Sequence, residues 1–438
     1  MSSIEQLLAL LGSEPQPANQ LCRTLGVSQA TLSRLITRAG GSVARLGQGR
    51  ATRYCAIAEN KQITPLFNID ERGFAHELAQ LTPLRNNGFI LEQQSNAPFW
   101  LLGEKGNGYF DNLPYFLDDL KPQGFLGRLI ASSLSKIKPY PADPIHWKAQ
   151  HIFSYLTEEA NDLPGNLLLG ERALNQHLNY TSAMVKSRIL EYPQLALQIL
   201  NDDVPDSSAG GEQQKFTAYT EDVGHVIVKF SSSTDSPEAT RWRDLLISEH
   251  IALTLLNEHN IQSAMHKIHE YDGRVYLESQ RFDRSGLRGR RPMLSLSAID
   301  LEFVNNGSNW VNVASQLLKI GKLSPDDFQK IVFLQTFAQW ISNTDMNLGN
   351  ISLKSEQSSF VLLPVYDMLP MGFVIRQGEE IKKPFHAPVQ TLVNRDVWNT
   401  CGQLAVDYWG KVIEDKRISK KFRKIAKKQR ASILESLT

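Results

Sequence analysis

Cysteine is scarce in this 438-residue chain. Cys22, Cys55 and Cys401 are too few and too scattered to build a disulfide framework or a cysteine zinc cluster, which favours a reducing compartment. No apolar run approaches the ~20 residues of a membrane span. The apolar start, residues 4–11, lacks the basic flank and cleavage site of a secretory signal. An excess of one charge is also missing: 47 Lys and Arg face 46 Asp and Glu, so any attraction to nucleic acid must be local. There are no internal repeats and no low-complexity tracts. What remains is a soluble, cytoplasmic protein of about two to four folding units.

Local charge appears at once. Residues 1–58 hold Arg23, Arg34, Arg38, Arg45, Arg50 and Arg53 against only Glu5 and Glu14. Leu7, Leu8, Leu10 and Leu11 mark a first helix, ended by Pro15 and Pro17. A second helix, residues 18–25, stops at Gly26. A third, capped by Ser28, runs to Gly40-Gly41. Residues 21–36 therefore read as a helix-turn-helix. Residues 43–46, a Gly47-Gln48-Gly49 turn and residues 52–57 read as a two-stranded wing. Gln29, Thr31 and Ser33 offer hydrogen bonds near the start of the third helix. Arg34 and Arg38 share one of its faces, and Arg50 and Arg53 sit on the wing. These seven are the candidate DNA contacts; a helix-turn-helix used for protein contacts is the alternative. The module resembles the winged-helix domains of bacterial regulators.

Residues 59–206 carry no obvious chemistry. Strands are expected at 63–69, 87–94 and 98–102, and helices from Asp143-Pro144 to Glu159 and over 170–178.

Four features further on agree with one another. Ser208-Ala209-Gly210-Gly211-Glu-Gln-Gln-Lys215 puts adjacent glycines before a strand, where backbone N–H groups can approach a phosphate closely; a plain surface loop has the same composition. Val226-Ile-Val-Lys229-Phe230 places a lysine in an apolar strand. Ser236-Pro237-Glu238 opens a helix to about residue 256 whose buried stripe (Trp242, Leu245, Leu246, Leu253, Leu256) includes Glu249. A carboxylate on a core face is costly unless paired, and Lys229 is its candidate partner, with the rim or an arginine as the alternative. Last, a helix capped by Ser324 ends in Asn343-Thr-Asp345-Met-Asn347-Leu-Gly-Asn350. A hairpin follows, then Pro364-Val-Tyr-Asp367. With the hairpin turn centred on Glu356-Gln357, residue 350 would face 363. Asp345, Asn350 and Asp367 would then converge at the open end, a set of hard oxygen donors suited to Mg2+ and a phosphate chain. Lysine, glutamate, Asp-x4-Asn and a returning aspartate stand in protein-kinase order.

At these residues the chain resembles the HipA-like serine/threonine protein kinases of type II toxin–antitoxin systems. The matching pieces are the Ser208–Lys215 loop, Val-Ile-Val-Lys229, Gln280-Arg-Phe282-Asp-Arg284, Asp345…Asn350 and Pro-Val-Tyr-Asp367. The fused N-terminal module looks like the YjjJ-type branch. The resemblance implies an α+β, two-lobed protein-kinase-like fold behind a winged helix-turn-helix domain. The divisions are 1–58 (winged helix), 59–282 (lobe with glycine loop and strand lysine) and 283–438 (mainly helical lobe). It implies ATP and Mg2+ as cofactors, Asp345 as the catalytic aspartate, and Asn350 and Asp367 as metal ligands. Ala209, Gly210, Gly211, Lys215, Lys229, Gln280, Phe282 and Asn347 would contact the nucleotide, and Ser208 would be the autophosphorylated loop serine. Partners would be a protein substrate, the translation machinery being one candidate, DNA at the N-terminal module and a second copy in a homodimer, with no membrane. Three features depart from the family pattern: Asn347 stands where a histidine is usual, Gln280 where a glutamate is usual, and the loop reads Gly210-Gly211-Glu212 where Ala-Gly-Ala is frequent. A DNA-binding regulator with an inert kinase-like scaffold and a small-molecule kinase are the rival readings.

Residues 416–430 hold nine Lys or Arg and no acid, with Ile418, Phe422 and Ile425 on one stripe. This basic amphipathic helix either packs with its charge solvated or meets an anionic partner.

Overall fold

Helix caps and buried leucines define the N-terminal elements. In the computed structural model, which describes all residues except 1–2, 48, 50–51, 60–62, 96, 161, 202–212, 377–378 and 381–384, helices Ser3–Leu11, Ala18–Leu25 and Gln29–Ala39 bury Leu7, Leu11, Leu21, Leu32 and Leu35 together. Gly26, at φ +64°, ends the second helix in the left-handed conformation that favours glycine. Ser28 caps the third, its hydroxyl accepting from the Thr31 amide at 3.2 Å. Strands Val43–Leu46 and Arg53–Ala56 pair antiparallel, and Gln16–Pro17 adds a third strand that is too short to leave a periodic signal.

The chain divides into two compact units. One comprises residues 1–70, 74–120 and 148–179; the other comprises 71–73, 121–147 and 180–438. The first also contains a five-stranded antiparallel sheet in the order Tyr109–Phe110, Phe89–Gln93, Ala75–Pro83, Thr64–Ile69, Leu167–Leu169. The long strand Ala75–Pro83 escapes a period reading because only its second half is buried. Residues 98–102, expected as a strand, form instead a 3-10 turn, Phe99–Leu102. The turn buries the consecutive Trp100 and Leu101, which a strand would send to opposite faces. The helix expected from 143 to 159 is likewise two pieces, Pro144–His146 and Ala149–Glu158. They break at Trp147, whose indole donates to the Pro141 carbonyl at 2.8 Å.

The second unit is built on a sheet in the order His266–Tyr271, Arg274–Gln280, Gly224–Phe230, Lys215–Thr220, Met184–Val185. The helix Pro237–Glu258 packs on this sheet, capped by Ser236. It buries Arg241, Asp244 and Glu249 as well as its leucines, so it is enclosed on most sides. Helices Pro325–Trp340, Arg395–Glu414 and Lys420–Leu437 share a core of Trp340, Tyr408, Trp409 and Phe422. The hairpin Ser352–Glu356/Ser359–Leu362 corrects the sequence register. Its turn is Gln357-Ser358, with Gln357 at φ +52°, and Leu363 donates to Ser352, so residue 350 extrapolates to 365 rather than 363. A partner shift of two residues keeps every side chain on its expected face, because the strand period is two.

Glu278, buried on the sheet face away from Lys229, receives Arg188 Nε at 2.6 Å, Arg188 Nη2 at 3.1 Å and the Tyr192 hydroxyl. Burial alone would raise its pKa, but His269 Nε2 at 3.5 Å and the hydrogen bonds from Arg188 and Tyr192 outweigh this and bring it down to about 2. A depressed carboxylate stabilises the fold above its unfolded pKa. About 3 kcal/mol should therefore be present at neutral pH and lost as pH falls from about 4.5 towards 2. Urea unfolding across that window should show this loss in the native chain and a much flatter profile in Glu278→Gln.

Candidate active site

The lysine of the apolar strand is the centre of the site. Lys229 Nζ donates to Glu249 Oε1 at 2.7 Å and Oε2 at 2.8 Å, and to Asp367 Oδ1. The strand, the enclosed helix and the segment after the hairpin thus each send one charged group to a single point. Burial pulls the Lys229 pKa down, but Asp367 and Glu249 more than reverse this and hold the ammonium above its ordinary range. Burial raises Glu249, with Lys229 only partly offsetting it. Burial also works against the Asp367 carboxylate, yet Lys229 and Lys215 together keep it below the usual range. Lys215 is the direct cross-strand partner of Lys229. Two lysines so placed repel, and the nearby Glu249 and Asp367 carboxylates, whose charges act on both, make the pairing tolerable.

Asp367 adopts φ +54°, a conformation an L residue holds only when its surroundings impose it. The cause is local. Val365 donates to the Gln262 carbonyl and accepts from the Ala264 amide, both at 2.9 Å, which pins the chain two residues earlier. Asn343 Nδ2 then reaches the Asp367 carbonyl at 3.5 Å.

Asn343 also organises the 343–350 loop. It is buried at the end of the helix Pro325–Trp340, just after Ser342 at φ +62°, and its Oδ1 accepts the Asp345 amide at 3.0 Å. The Asp345 carbonyl accepts from Asn350 Nδ2 at 2.8 Å, and its Oδ1 accepts from Asn347 Nδ2 at 2.8 Å. Trp310 Nε1 donates to the Asn347 carbonyl at 2.8 Å. The Tyr366 hydroxyl donates to Gly349 at 3.0 Å and meets Ser352 Oγ at 2.6 Å. Asp345 and Asp367 are therefore linked through Asn343, and Asn350 turns its amide nitrogen inward, leaving its oxygen for another partner.

Other expected nucleotide contacts have local duties. The Asn347 amide is directed onto Asp345, and Gln280 Nε2 donates to the Val223 carbonyl at 3.1 Å. Phe282 is half-buried with its ring 5.9 Å from that of Tyr366. Ser208, Ala209, Gly210 and Gly211 lie outside the described residues. Sequence reasoning gave no role to Asn343, Tyr366 or Trp310. Only the position of Asn343, a polar residue closing an apolar helix, hinted at its importance.

The model of the YjjJ-like toxin middle domain matches residues 60–178, and that of the HipA-like C-terminal domain matches residues 207–434. Toxin YjjJ of Escherichia coli is 32% identical over 434 residues, covering 97% of this chain and 96% of that protein. The chain belongs to the HipA-like toxin family, in its YjjJ-like branch. HipA of Shewanella oneidensis, solved with HipB and its operator DNA, aligns with a TM-score of 0.53 at 15% identity over 82% of this chain and 94% of its own. That likeness shows the fold: the chain has the kinase-like, HipA-like architecture expected from its motifs. No helix among the described residues is long and apolar enough to cross a membrane.

For this family member, the Lys229 cluster makes a stability prediction. Lys229→Met leaves two neighbouring carboxylates without their cation and should cost about 3 kcal/mol. Lys229→Met/Glu249→Leu should regain at least half of that in urea unfolding. A double variant as unstable as the single would show that the cost lies in lost packing.

Proposed function

We propose that this chain is an ATP- and Mg2+-dependent serine/threonine protein kinase of the HipA toxin type, carrying its own DNA-binding module. The reading keeps the three divisions at 1–58, 59–282 and 283–438. The observation that carries it is Lys229 held between Glu249 and Asp367 beside the Asn343–Asn350 loop.

The residues suit the missing groups. Asp367 and the Oδ1 of Asn350 are hard oxygen donors, as Mg2+ requires, and Lys229 with Lys215 supplies the cations for a phosphate chain. Bound Mg2+ would neutralise charge on the transferring phosphoryl group. Glu249 keeps Lys229 charged and in place. Asp345, fixed through its amide, its carbonyl and one carboxylate oxygen, has its second carboxylate oxygen to orient a substrate hydroxyl and take its proton during in-line attack. Phe282 and Gln280 lie on the segment that would flank the base. Phosphate on Ser208 would add about −1.5 to −2 charges to the loop meant for the nucleotide's own phosphates, so autophosphorylation would shut the site by repulsion.

DNA binding rests on the helix Gln29–Ala39. Gln29, Ser33, Arg34 and Arg38 are exposed there, and Arg53 is exposed on the adjoining strand. Thr31 is half-buried with its hydroxyl 3.0 Å from that of Ser28, which makes it part of the cap first and a DNA contact second. Arg50 lies outside the described residues. The relative solved with operator DNA supports this partner class. The engagement of Asp345 by Asn347 favours, as the second reading, a DNA-binding regulator with a weak or inert kinase-like scaffold.

Incubation with γ-labelled ATP and Mg2+ should label the protein, and Asp345→Asn should lower incorporation at least ~100-fold. An unlabelled native chain that still binds operator DNA would decide for the second reading. Arg34→Ala/Arg38→Ala should weaken duplex binding and lower the salt slope of log K by about 2.

A further inference from the structure

The C-terminal helix Lys420–Leu437 is fixed firmly on one side. Ser419 donates its amide and its hydroxyl to the Asp244 carboxylate, each at 2.7 Å. Phe422 is buried against Trp409 and Phe373 with the Arg241 guanidinium 5.1 Å above its ring, and Ala426 and Ile433 are buried beside it. The other side is almost purely cationic. Lys420, Lys424, Lys427 and Lys428 are exposed and have no carboxylate partner among the described residues. No acid occurs between Asp415, which holds Arg417, and Glu435. Without the nine cations of residues 416–430, the chain would have 38 Lys and Arg against 46 Asp and Glu. The remainder of the chain, taken together, is therefore acidic.

This charge opposes the helix that bears it. Lys420 and Lys421 open the first turn, where the helix dipole is already positive, and the one acid of the helix, Glu435, lies near its negative end. Lys420 with Lys424, and Lys424 with Lys428, are like-charged neighbours four residues apart. A helix serving only to cover the core has no use for this arrangement, whereas a polyanion lying along it would turn each repulsion into attraction.

We propose that this face docks on the phosphate backbone of duplex DNA without reading sequence. The cations occupy the first three turns of the helix, from Lys420 to Arg430, about 16 Å of its length, which suits a rigid, evenly charged rod. It presents no exposed aromatic ring, which a single strand would need for base stacking. The contact is separate from the proposed reading helix Gln29–Ala39 and does not depend on it.

The test uses the full-length protein carrying Lys→Gln at 420, 424, 427 and 428, with anisotropy on a random-sequence duplex across a salt series. The variant should bind at least tenfold more weakly at low salt, with a slope smaller by about 3 to 4. The same further loss should occur in a chain already carrying Arg34→Ala/Arg38→Ala, which separates this contact from the N-terminal one. Lys420→Glu/Lys424→Glu should weaken duplex binding while leaving Tm unchanged or raised by about 1–2 °C. Unchanged duplex affinity and slope in the quadruple variant would overturn the proposal. Charge-dependent binding of poly-glutamate equal to that of the duplex would overturn it in favour of an acidic protein partner.

Discussion

An ammonium group enclosed by two carboxylates cannot be placed casually. Removing three charges from water costs several kcal/mol each, and only close, multiply bonded geometry recovers that cost. Lys229, Glu249 and Asp367 meet this condition, and much of the second unit is arranged around it. The strand must carry its lysine towards the helix Pro237–Glu258. That helix must be enclosed deeply enough to bury Glu249, and residues 364–367 must be pinned at Val365 so that Asp367 can turn back with a positive φ. The cluster carries one negative charge in excess until Lys215, directly across the sheet, is counted. In the proposed reaction a phosphate chain enters between these lysines and takes the place that Asp367 now holds against Lys229.

The loop bearing Asp345 is a second rigid device joined to the first. Asn343 grips the Asp345 amide and the Asp367 carbonyl, so the two aspartates are positioned by one buried side chain. Asn347, where the family usually has histidine, donates a neutral amide to Asp345 and cannot take up a proton near neutral pH. The orientation of the Asp345 carboxylate should then be indifferent to pH in the range where a histidine would titrate.

Much of this was legible in the sequence because it rests on short-range rules. Caps at Ser28, Ser236 and Ser324 marked helix starts. A run of β-branched residues marked the strand that carries Lys229, and a glutamate inside an apolar stripe announced the need for a cation. The hairpin register was read two residues out, a shift of a size that preserves the faces. Three kinds of information were not legible. The strand Ala75–Pro83 is only half buried and leaves no clean alternation. Residues 98–102 look extended by composition but turn to bury Trp100 and Leu101 on one side. The duties of Asn343, Tyr366 and Trp310 arise from contacts between segments far apart in the chain, which no local pattern encodes.

The most direct test is a crystal structure of the protein with Mg2+ and a non-hydrolysable ATP analogue. Lys229 should keep Glu249 and exchange Asp367 for a phosphate oxygen, with Asp367 and Asn350 turned to the metal. A nucleotide bound elsewhere, or a cleft that stays empty at saturating analogue while the Lys229–Asp367 pair persists, would contradict it.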